Sequence, residues 1–390
     1  MSEKKKKERV FVKASEIVTP PRIPSGIFVL DLHLGRGSNG LNGWSIGRMN
    51  TVYGDESGGK TTLVLKAIGN AQKLCSKCYL YHKDCKCKGG PKKWSILFID
   101  AERTWTKEWA EAHGIKLEDV DIYSPESLDD LIDCVSDEIS NRDIIVIETL
   151  AAILSSEDID SVDDMIKSVG LKARKLDQAA QKWMSEIVKE GKTVTFFIEN
   201  QLRKNISVSN MPFISQDETE NLPGGKWQKF FSTVIVRVYP SKPIVDVPDI
   251  ESEDEGVVVS NSKDVVAQKY TFEVKKNKVF IKGGKESFIL STMNDPIRGI
   301  KVGDVISNEE SVAEAAINLG IATKIGDRKI EYKGGKYSFP YMKSFIKFLR
   351  NNPQEYEQIA KEIIDIYESR HSVSYVITTT EPEKEVSGNE

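Results

Sequence analysis

The chain has 390 residues, of which 39% are hydrophobic and 29% charged, with a formal net charge of −4. That length allows two or three domains, and the charge balance excludes a protein that holds nucleic acid by bulk positive charge, so any such contact must come from a local basic face. MSEKKKKERV opens without a hydrophobic signal segment, and apolar stretches such as Ile144–Leu154 are too short to span a bilayer. An intracellular protein with no membrane partner is expected, and in a reducing compartment its five cysteines argue against a disulfide framework.

Residues 1–22 are polar, close on Pro20–Pro21 and read as an arm. From about Ile23, short β-rich runs alternate with amphipathic segments. The runs are Asn50–Tyr53, Ser95–Ile99, Val120–Tyr123, Asp143–Ile147, Thr193–Ile198 and Thr233–Tyr239, with helical stretches at Leu128–Asn141 and Val169–Glu190. This alternation predicts the α/β class, with a mostly parallel twisted sheet covered on both faces. Residues 241–266 are Pro-, Ser- and acid-rich and read as a surface loop; Lys269–Lys275 and Val279–Leu290 then alternate as an antiparallel strand pair. The core domain is therefore placed at 23–300. A small C-terminal α/β domain is expected at 301–368. It would contain a helix at Ser311–Leu319, a hairpin at Gly334–Gly335 and helices at Tyr341–Asn351 and Gln354–Tyr367, followed by a disordered tail at 369–390.

The segment GDESGGKTT (Gly54, Asp55, Glu56, Ser57, Gly58, Gly59, Lys60, Thr61, Thr62) satisfies the phosphate-loop pattern Gly-x-x-x-x-Gly-Lys-Thr. It follows the apolar run Met49–Tyr53 and precedes the helical stretch Leu63–Gln72, as that pattern requires. Glycines let the backbone N–H groups converge on an anion, and the helix N-terminus adds partial positive charge. Lys60 is then placed to reach the terminal phosphates and Thr61 to hold Mg²⁺, so ATP and Mg²⁺ are the expected cofactors. A phosphate loop alone does not separate a hydrolase from a kinase or a passive binder; the other carboxylates decide more. FIDAE ends in Asp100 and Glu102, on a strand expected beside the phosphate-loop strand, where Glu102 is placed to orient or deprotonate a water. DIIVIET ends in Glu148, suited to Mg²⁺, and TVTFFI runs into Glu199, Asn200 and Gln201, where Gln201 is placed to report nucleotide state.

Four cysteines, Cys75, Cys78, Cys85 and Cys87, fall within CSKCYLYHKDCKC, between the phosphate-loop helix and the FIDAE strand. Two close cysteine pairs can surround Zn²⁺ tetrahedrally, with His82 as a substitute ligand; free thiols or a disulfide are the alternatives. The inserted knob, 74–93, is rich in lysine and reads either as a contact for DNA or a partner, or as a solvated surface. Cys134 lies in an apolar helical pattern and reads as core.

Taken together, GDESGGKTTL, FIDAE, IIVIETLAAIL, FFIENQLRKN, GGKWQKFF and VKKNK resemble, in order and spacing, the RecA family of DNA strand-exchange recombinases. The resemblance runs from about Ile23 to Tyr367 and is nearer the bacterial and phage branch. It implies a RecA-like ATPase core that works as a homo-oligomeric helical filament on single-stranded DNA, pairs it with duplex DNA in the bacterial cytoplasm, and meets single-strand-binding and loader proteins. By the same resemblance Glu102 matches the catalytic glutamate, Gln201 the γ-phosphate sensor, and Lys276 and Lys278 a pair that reaches the ATP of a neighbouring subunit. Trp109 falls where an aromatic meets adenine, and Lys229 and Phe230 fall in an intersubunit contact. Glu148 and Thr149 depart from the family's Asp and Ser, a change read as tuning. The knob is an insertion relative to bacterial members, and with the short arm it favours a phage or otherwise divergent source.

Two segments carry the expectation of DNA contact. VGLKARK, at Val169–Lys175, has a glycine and clustered basic residues opening a helix, and residues 202–223 form a long aperiodic loop after Gln201. They match the family's two DNA-binding loops. Arg174, Arg203 and Lys204 are the expected phosphate contacts, and Val169 and Ile206 the apolar residues set among bases. A RecA-fold motor, such as a hexameric helicase or a RadA-type branch-migration ATPase, and a regulatory paralogue that hydrolyses ATP slowly are the competing readings.

Overall fold

The computed structural model describes residues 13–154, 162–190, 193–204, 220–221, 227–244, 265–280, 283–296 and 299–371. A short antiparallel pair, β1 (Arg22–Ile23) with β2 (Trp44–Ser45), flanks helix α1 (Phe28–Leu34) and leads into β3 (Met49–Gly54) and α2 (Lys60–Ala71). Next come β4 (Ile96–Asp100), α3 (Lys107–Ala112), β5 (Val120–Tyr123), α4 (Leu128–Glu138), β6 (Ile144–Glu148), α5 (Leu150–Leu154), the long α6 (Val162–Glu190) and β7 (Thr195–Gln201). A two-residue strand β8 (Arg203–Lys204) pairs with β9 (Glu220–Asn221). Strands β10 (Val234–Ile244), β11 (Ala267–Asn277) and β12 (Lys285–Ser291) complete the core.

Eight of these strands form one sheet in the order β12-β11-β10-β3-β7-β6-β4-β5. From β10 to β5 every pairing is parallel, while β11 and β12 add an antiparallel edge. Helices cover both faces, which is why β6 reads as an unbroken apolar run rather than an alternating one. Strand alternation sends Phe98, Val146 and Phe197 to the face under α2. Their neighbours Ile99, Ile147, Phe196 and Ile198 go to the opposite face, with Leu131, Val135 and Trp183. On α2, Leu63, Val64, Ala67, Ile68 and Ala71 recur at helical spacing and are fully buried, each large one stabilising the fold by about 1.5–3 kcal/mol. Helix α4 begins where the Ser127 hydroxyl accepts from the Asp130 N–H at 3.1 Å, a cap worth about 1 kcal/mol.

Helix α1 is shared between two cores. Its Leu30 and Leu34 pack under the main sheet, whereas Phe28 and Leu32, offset by half a turn, join the C-terminal cluster around Phe345, Leu349 and Ile359. That cluster is built by helices Asn308–Asn318, Met342–Asn351 and Pro353–His371 on a three-stranded antiparallel sheet of β13 (Ala322–Ile325), β14 (Lys329–Tyr332) and β15 (Tyr337–Phe339). The β14–β15 turn carries Gly334 and Gly335 at φ +63° and +89°, so the expected hairpin forms where glycine permits it. Among the described residues no helix is long and apolar enough to cross a membrane.

Several expectations from sequence are corrected. β4 is not beside the phosphate-loop strand: β7 and β6 lie between it and β3. Residues 169–175 lie well inside α6, not at the opening of a helix, because Leu176, Ala180 and Trp183 belong to one buried face of a continuous helix. Arg22, assigned to the arm, is fully buried in β1. The 202–223 loop starts with a buried Leu202 and the paired β8, and the acidic 241–266 segment gives up its first four residues to β10, where Ile244 pairs with Ala267. The last helix continues to His371, inside the expected tail. Lys276 and Lys278 stand at the far end of β11 and just beyond it, and β12 begins only at Lys285. Ile206, most of both loops, the start of the arm and the rest of the tail lie outside the described residues.

Candidate active site

Strand β3 delivers the phosphate loop to the carboxyl edge of the sheet, where open α/β sheets place ligands. At Gly54 a Cβ would lie 1.9 Å from the Val238 carbonyl oxygen of β10, so any larger residue would push the two strands apart. Gly59 has φ +86°, and a Cβ there would come 2.8 Å from the Tyr270 ring, so the turn into α2 needs glycine on both counts. Lys60 opens α2 nearly buried, its Nζ donating to the Asp55 carbonyl at 2.7 Å.

A cavity of about 820 Å³ sits over this loop, a size suited to a small-molecule ligand. Residues Glu56 to Thr62 line it, and Glu102, Trp109 and Gln201 reach it from the loop after β4, from α3 and from the end of β7. Gly54 and Asp55 shape the loop without lining the cavity. Asp100 holds the Glu102 loop by accepting from the N–H groups of Thr104 at 3.1 Å and Trp105 at 2.9 Å. Glu102 itself is exposed at the cavity wall, and Trp109 leans on His113 with ring centroids 4.5 Å apart.

Behind Thr61 the site turns acidic. Thr61 Oγ1 donates to Glu148 Oε1 at 2.6 Å and lies 3.0 Å from Glu199 Oε2. Both carboxyls are buried, Glu199 completely. Burial pushes Glu148 up to about 7, reinforced by the charges of Asp100 and Glu102 against the pull of the Thr61 hydroxyl and Lys60. Burial, with Glu148 next to it, also holds Glu199 well above the usual carboxylate range. The Lys60 amine and Thr61 hydroxyl at the cavity, with two buried carboxyls behind Thr61, are a donor set suited to magnesium and a triphosphate.

Gln201 is tied to the rest of the molecule through its neighbour. Asn200 accepts from the Gln201 N–H at 2.9 Å, and its amide donates to Gln228 Oε1 at 3.2 Å on helix Trp227–Phe231. The end of that helix carries the exposed Phe230 and receives both distal lysines. Lys276 donates to the Lys229 carbonyl, and Lys278 to the Phe230 carbonyl at 2.7 Å. Neither lysine lines the cavity of its own chain. Burial, then the neighbouring Lys278 charge, lowers Lys276 to about 8.

The comparisons with known proteins agree with this geometry. A model of the RecA N-terminal domain matches residues 10–283, well over half of the chain. The chain belongs to the RecA family. Similar proteins include the protein RecA of Saccharopolyspora erythraea, 33% identical over 87% of this chain and 82% of that one, and the protein RecA of Streptococcus mutans, 30% identical over 87% and 75%. The protein RecA of Acholeplasma laidlawii is 33% identical over 62% of this chain, and the match spans 64% of that protein, just under two thirds.

Within this RecA-family core the four cysteines form a separate group. Cys75, Cys78, Cys85 and Cys87 bring their sulfurs within 4.8 Å of one another, with Cys75–Cys87 at 3.9 Å and Cys78–Cys85 at 3.6 Å. All four are free thiols. Four thiolates bonded tetrahedrally to zinc at about 2.3 Å would stand about 3.8 Å apart, so the donors fit that ion. Burial works against ionising Cys75, but the N–H groups of Lys92, Cys78 and Lys77 outweigh it and bring that thiol down to about 6. Burial and the other three sulfurs push Cys87 up to about 12. His82 is not among these ligands; its Nε2 meets the Leu74 carbonyl at 3.1 Å. The knob is braced on the core by Trp94, whose Nε1 also bonds Leu74 O, at 2.9 Å.

The expected DNA residues are less gathered. Arg174 is exposed on α6, Arg203 and Lys204 begin the stem formed by β8 and β9, and Val169 lies on α6. Sequence reading passed over Tyr270, which lines the cavity from β11, and gave Glu199 no role. A tyrosine in an alternating strand carries no local sign that the strand will fold back over a loop two hundred residues earlier. Glu199 did carry a sign, since a carboxylate ending an apolar strand is costly to bury without purpose.

Proposed function

We propose that the protein is a DNA-dependent ATPase of homologous recombination that assembles as a helical filament on single-stranded DNA and exchanges it into a homologous duplex. The convergence of Lys60, Thr61, Glu102 and Gln201 on one cavity, in a chain of the RecA family, carries this reading. Nucleotide and Mg²⁺ supply the phosphoryl group and neutralise its charge. Lys60 binds the β- and γ-phosphates after exchanging its bond with the Asp55 carbonyl, and Thr61, backed by Glu148, holds the metal. Glu102 orients the attacking water and accepts its proton. Gln201 senses the γ-phosphate and passes the state through Asn200 and Gln228 to helix Trp227–Phe231. Trp109 stacks on the base. Arg174, Arg203 and Lys204 meet DNA phosphates, and Val169 and Ile206 sit among bases. A strand-exchange assay with ATP, circular single strand and linear duplex tests the whole; unwinding without pairing would instead identify a motor.

Lys276 and Lys278 act on the nucleotide of a neighbouring subunit. Their absence from the lining of their own cavity and their place beside the exposed Phe230 support this. Each lysine changed to alanine should suppress DNA-stimulated hydrolysis and spare nucleotide binding. Mixing Lys276→Ala chains with Lys60→Ala chains should recover activity, because some interfaces join an intact P-loop to an intact Lys276. No recovery in a mixture shown to co-assemble would sink the assignment.

The four cysteines hold one structural Zn²⁺, supported by the convergence of their sulfurs at separations that tetrahedral coordination would set. Metal analysis of protein purified without added zinc should find one ion per chain, and Cys78→Ser should release it. The knob leaves and rejoins the core between α2 and β4, so its loss should expose the knob to protease while leaving ATP binding intact. Stoichiometric metal missing from fresh, reduced protein would defeat the idea.

A further inference from the structure

Strands β6 and β7 run parallel with Ile147 opposite Ile198, so the next residues stand side by side: Glu148, the last of β6, and Glu199, two residues before the end of β7. Alternation places both on the face under α2, above Val146 and Phe197. Thr61, in the first turn of α2, lies between these acids and the cavity, and neither carboxylate lines the cavity itself. Glu199 is entirely buried. Its Oε2 stands 3.0 Å from Thr61 Oγ1, but that hydroxyl has one proton and Glu148 already lies 2.6 Å away. Its Oε1 has no hydrogen-bond partner among the described residues.

A buried carboxylate with one contested donor is expensive, and the β7 residues preceding it are phenylalanine and isoleucine, so packing alone would be better served by another apolar side chain. A divalent cation removes the difficulty. Were Thr61 to hold a cation through its oxygen, its single proton would go to one acid, and the other acid would be free to accept from water on the ion. Hard cations such as Mg²⁺ retain several waters and need such acceptors behind them.

We propose that Glu199 is a second acid of the magnesium site, a positioning residue that acts with Glu148 through Thr61. The inference rests on the reading of the cavity as a magnesium–nucleotide site. It assigns Glu199 a part in metal affinity, distinct from the water-activating part of Glu102.

The test is a Mg²⁺ titration of binding of a fluorescent ATP analogue to the full chain, comparing wild type, Glu199→Gln and Glu148→Gln, with a parallel measurement in EDTA. Glu199→Gln should raise the Mg²⁺ concentration for half-maximal binding about tenfold and leave metal-free binding unchanged. Mn²⁺ in place of Mg²⁺, followed by electron paramagnetic resonance, should show the same loss of affinity without any turnover. Melting without metal should be unchanged or slightly higher for Glu199→Gln, since an amide is cheaper to bury than a carboxylate. If that variant does not fold, Glu199→Asp keeps the charge, withdraws it by one methylene and should shift the titration in the same direction. A half-saturation within twofold of wild type, in a folded variant that binds nucleotide, would make Glu199 a structural acid and overturn the proposal. A wild type that binds no nucleotide at any Mg²⁺ concentration would overturn the nucleotide-site reading as well.

Discussion

Lys60→Ala is expected to abolish ATP hydrolysis and strand exchange together, with turnover below about one-hundredth of wild type. Among the described residues its ammonium is the only side-chain cation lining the cavity, and it is nearly buried, so its field at the phosphates is little screened by water. The phosphates would then rest on backbone N–H groups and the start of α2 alone, which carry partial rather than full charge. Folding should survive, because the amine's partner here is a single loop carbonyl, that of Asp55, and losing such a bond costs about 1 kcal/mol. The decisive measurement pairs a melting curve with nucleotide binding and steady-state hydrolysis. A folded Lys60→Ala protein that still hydrolyses ATP at the wild-type rate would remove the phosphate loop from the mechanism.

Glu102→Gln should separate binding from chemistry. The side chain is exposed at the cavity wall, and its loop is held by Asp100 rather than by Glu102 itself, so exchanging carboxylate for amide should leave stability within about 0.5 kcal/mol. An amide keeps the shape but cannot accept a proton from water, which should slow hydrolysis by about 10²–10⁴-fold with ATP affinity retained. Filament assembly on single-stranded DNA should persist and even lengthen, since ATP is bound and not consumed. Turnover by Glu102→Gln equal to wild type would remove Glu102 from the base role.

Much of the site was legible because its parts are local. The phosphate loop needs glycine at fixed offsets between a strand and a helix, and Gly54 and Gly59 stand where a Cβ would collide. The strands ending in Asp100, Glu148 and Gln201 announce themselves as apolar runs broken by polar residues, and they do lie together, as β4, β6 and β7, along one edge. The cysteine window, too, was visible as a composition, and its convergence needed only a short, turn-rich stretch.

What the chain alone could not disclose depends on partners distant in sequence. Hydrophobic periodicity says that β4 is a strand but not that β7 and β6 will fill the two places between it and β3, because strand order is settled by which crossovers pack helices on both faces. The 169–175 segment looks like a basic loop leading into a helix until the buried face of α6 is seen to extend it. The resemblance assigns Lys276 and Lys278 to the ATP of a neighbouring subunit, but their spacing could not disclose that folding sets them against the carbonyls of Lys229 and Phe230, outside the lining of their own cavity. Glu199 was one more polar residue following an apolar run, and only its parallel neighbour Glu148 and the α2 threonine above it made it a buried acid in want of a cation. Local spacing determined the chemistry this protein carries; long-range packing decided which of those groups share a site, because desolvation and charge act through space and not along the chain.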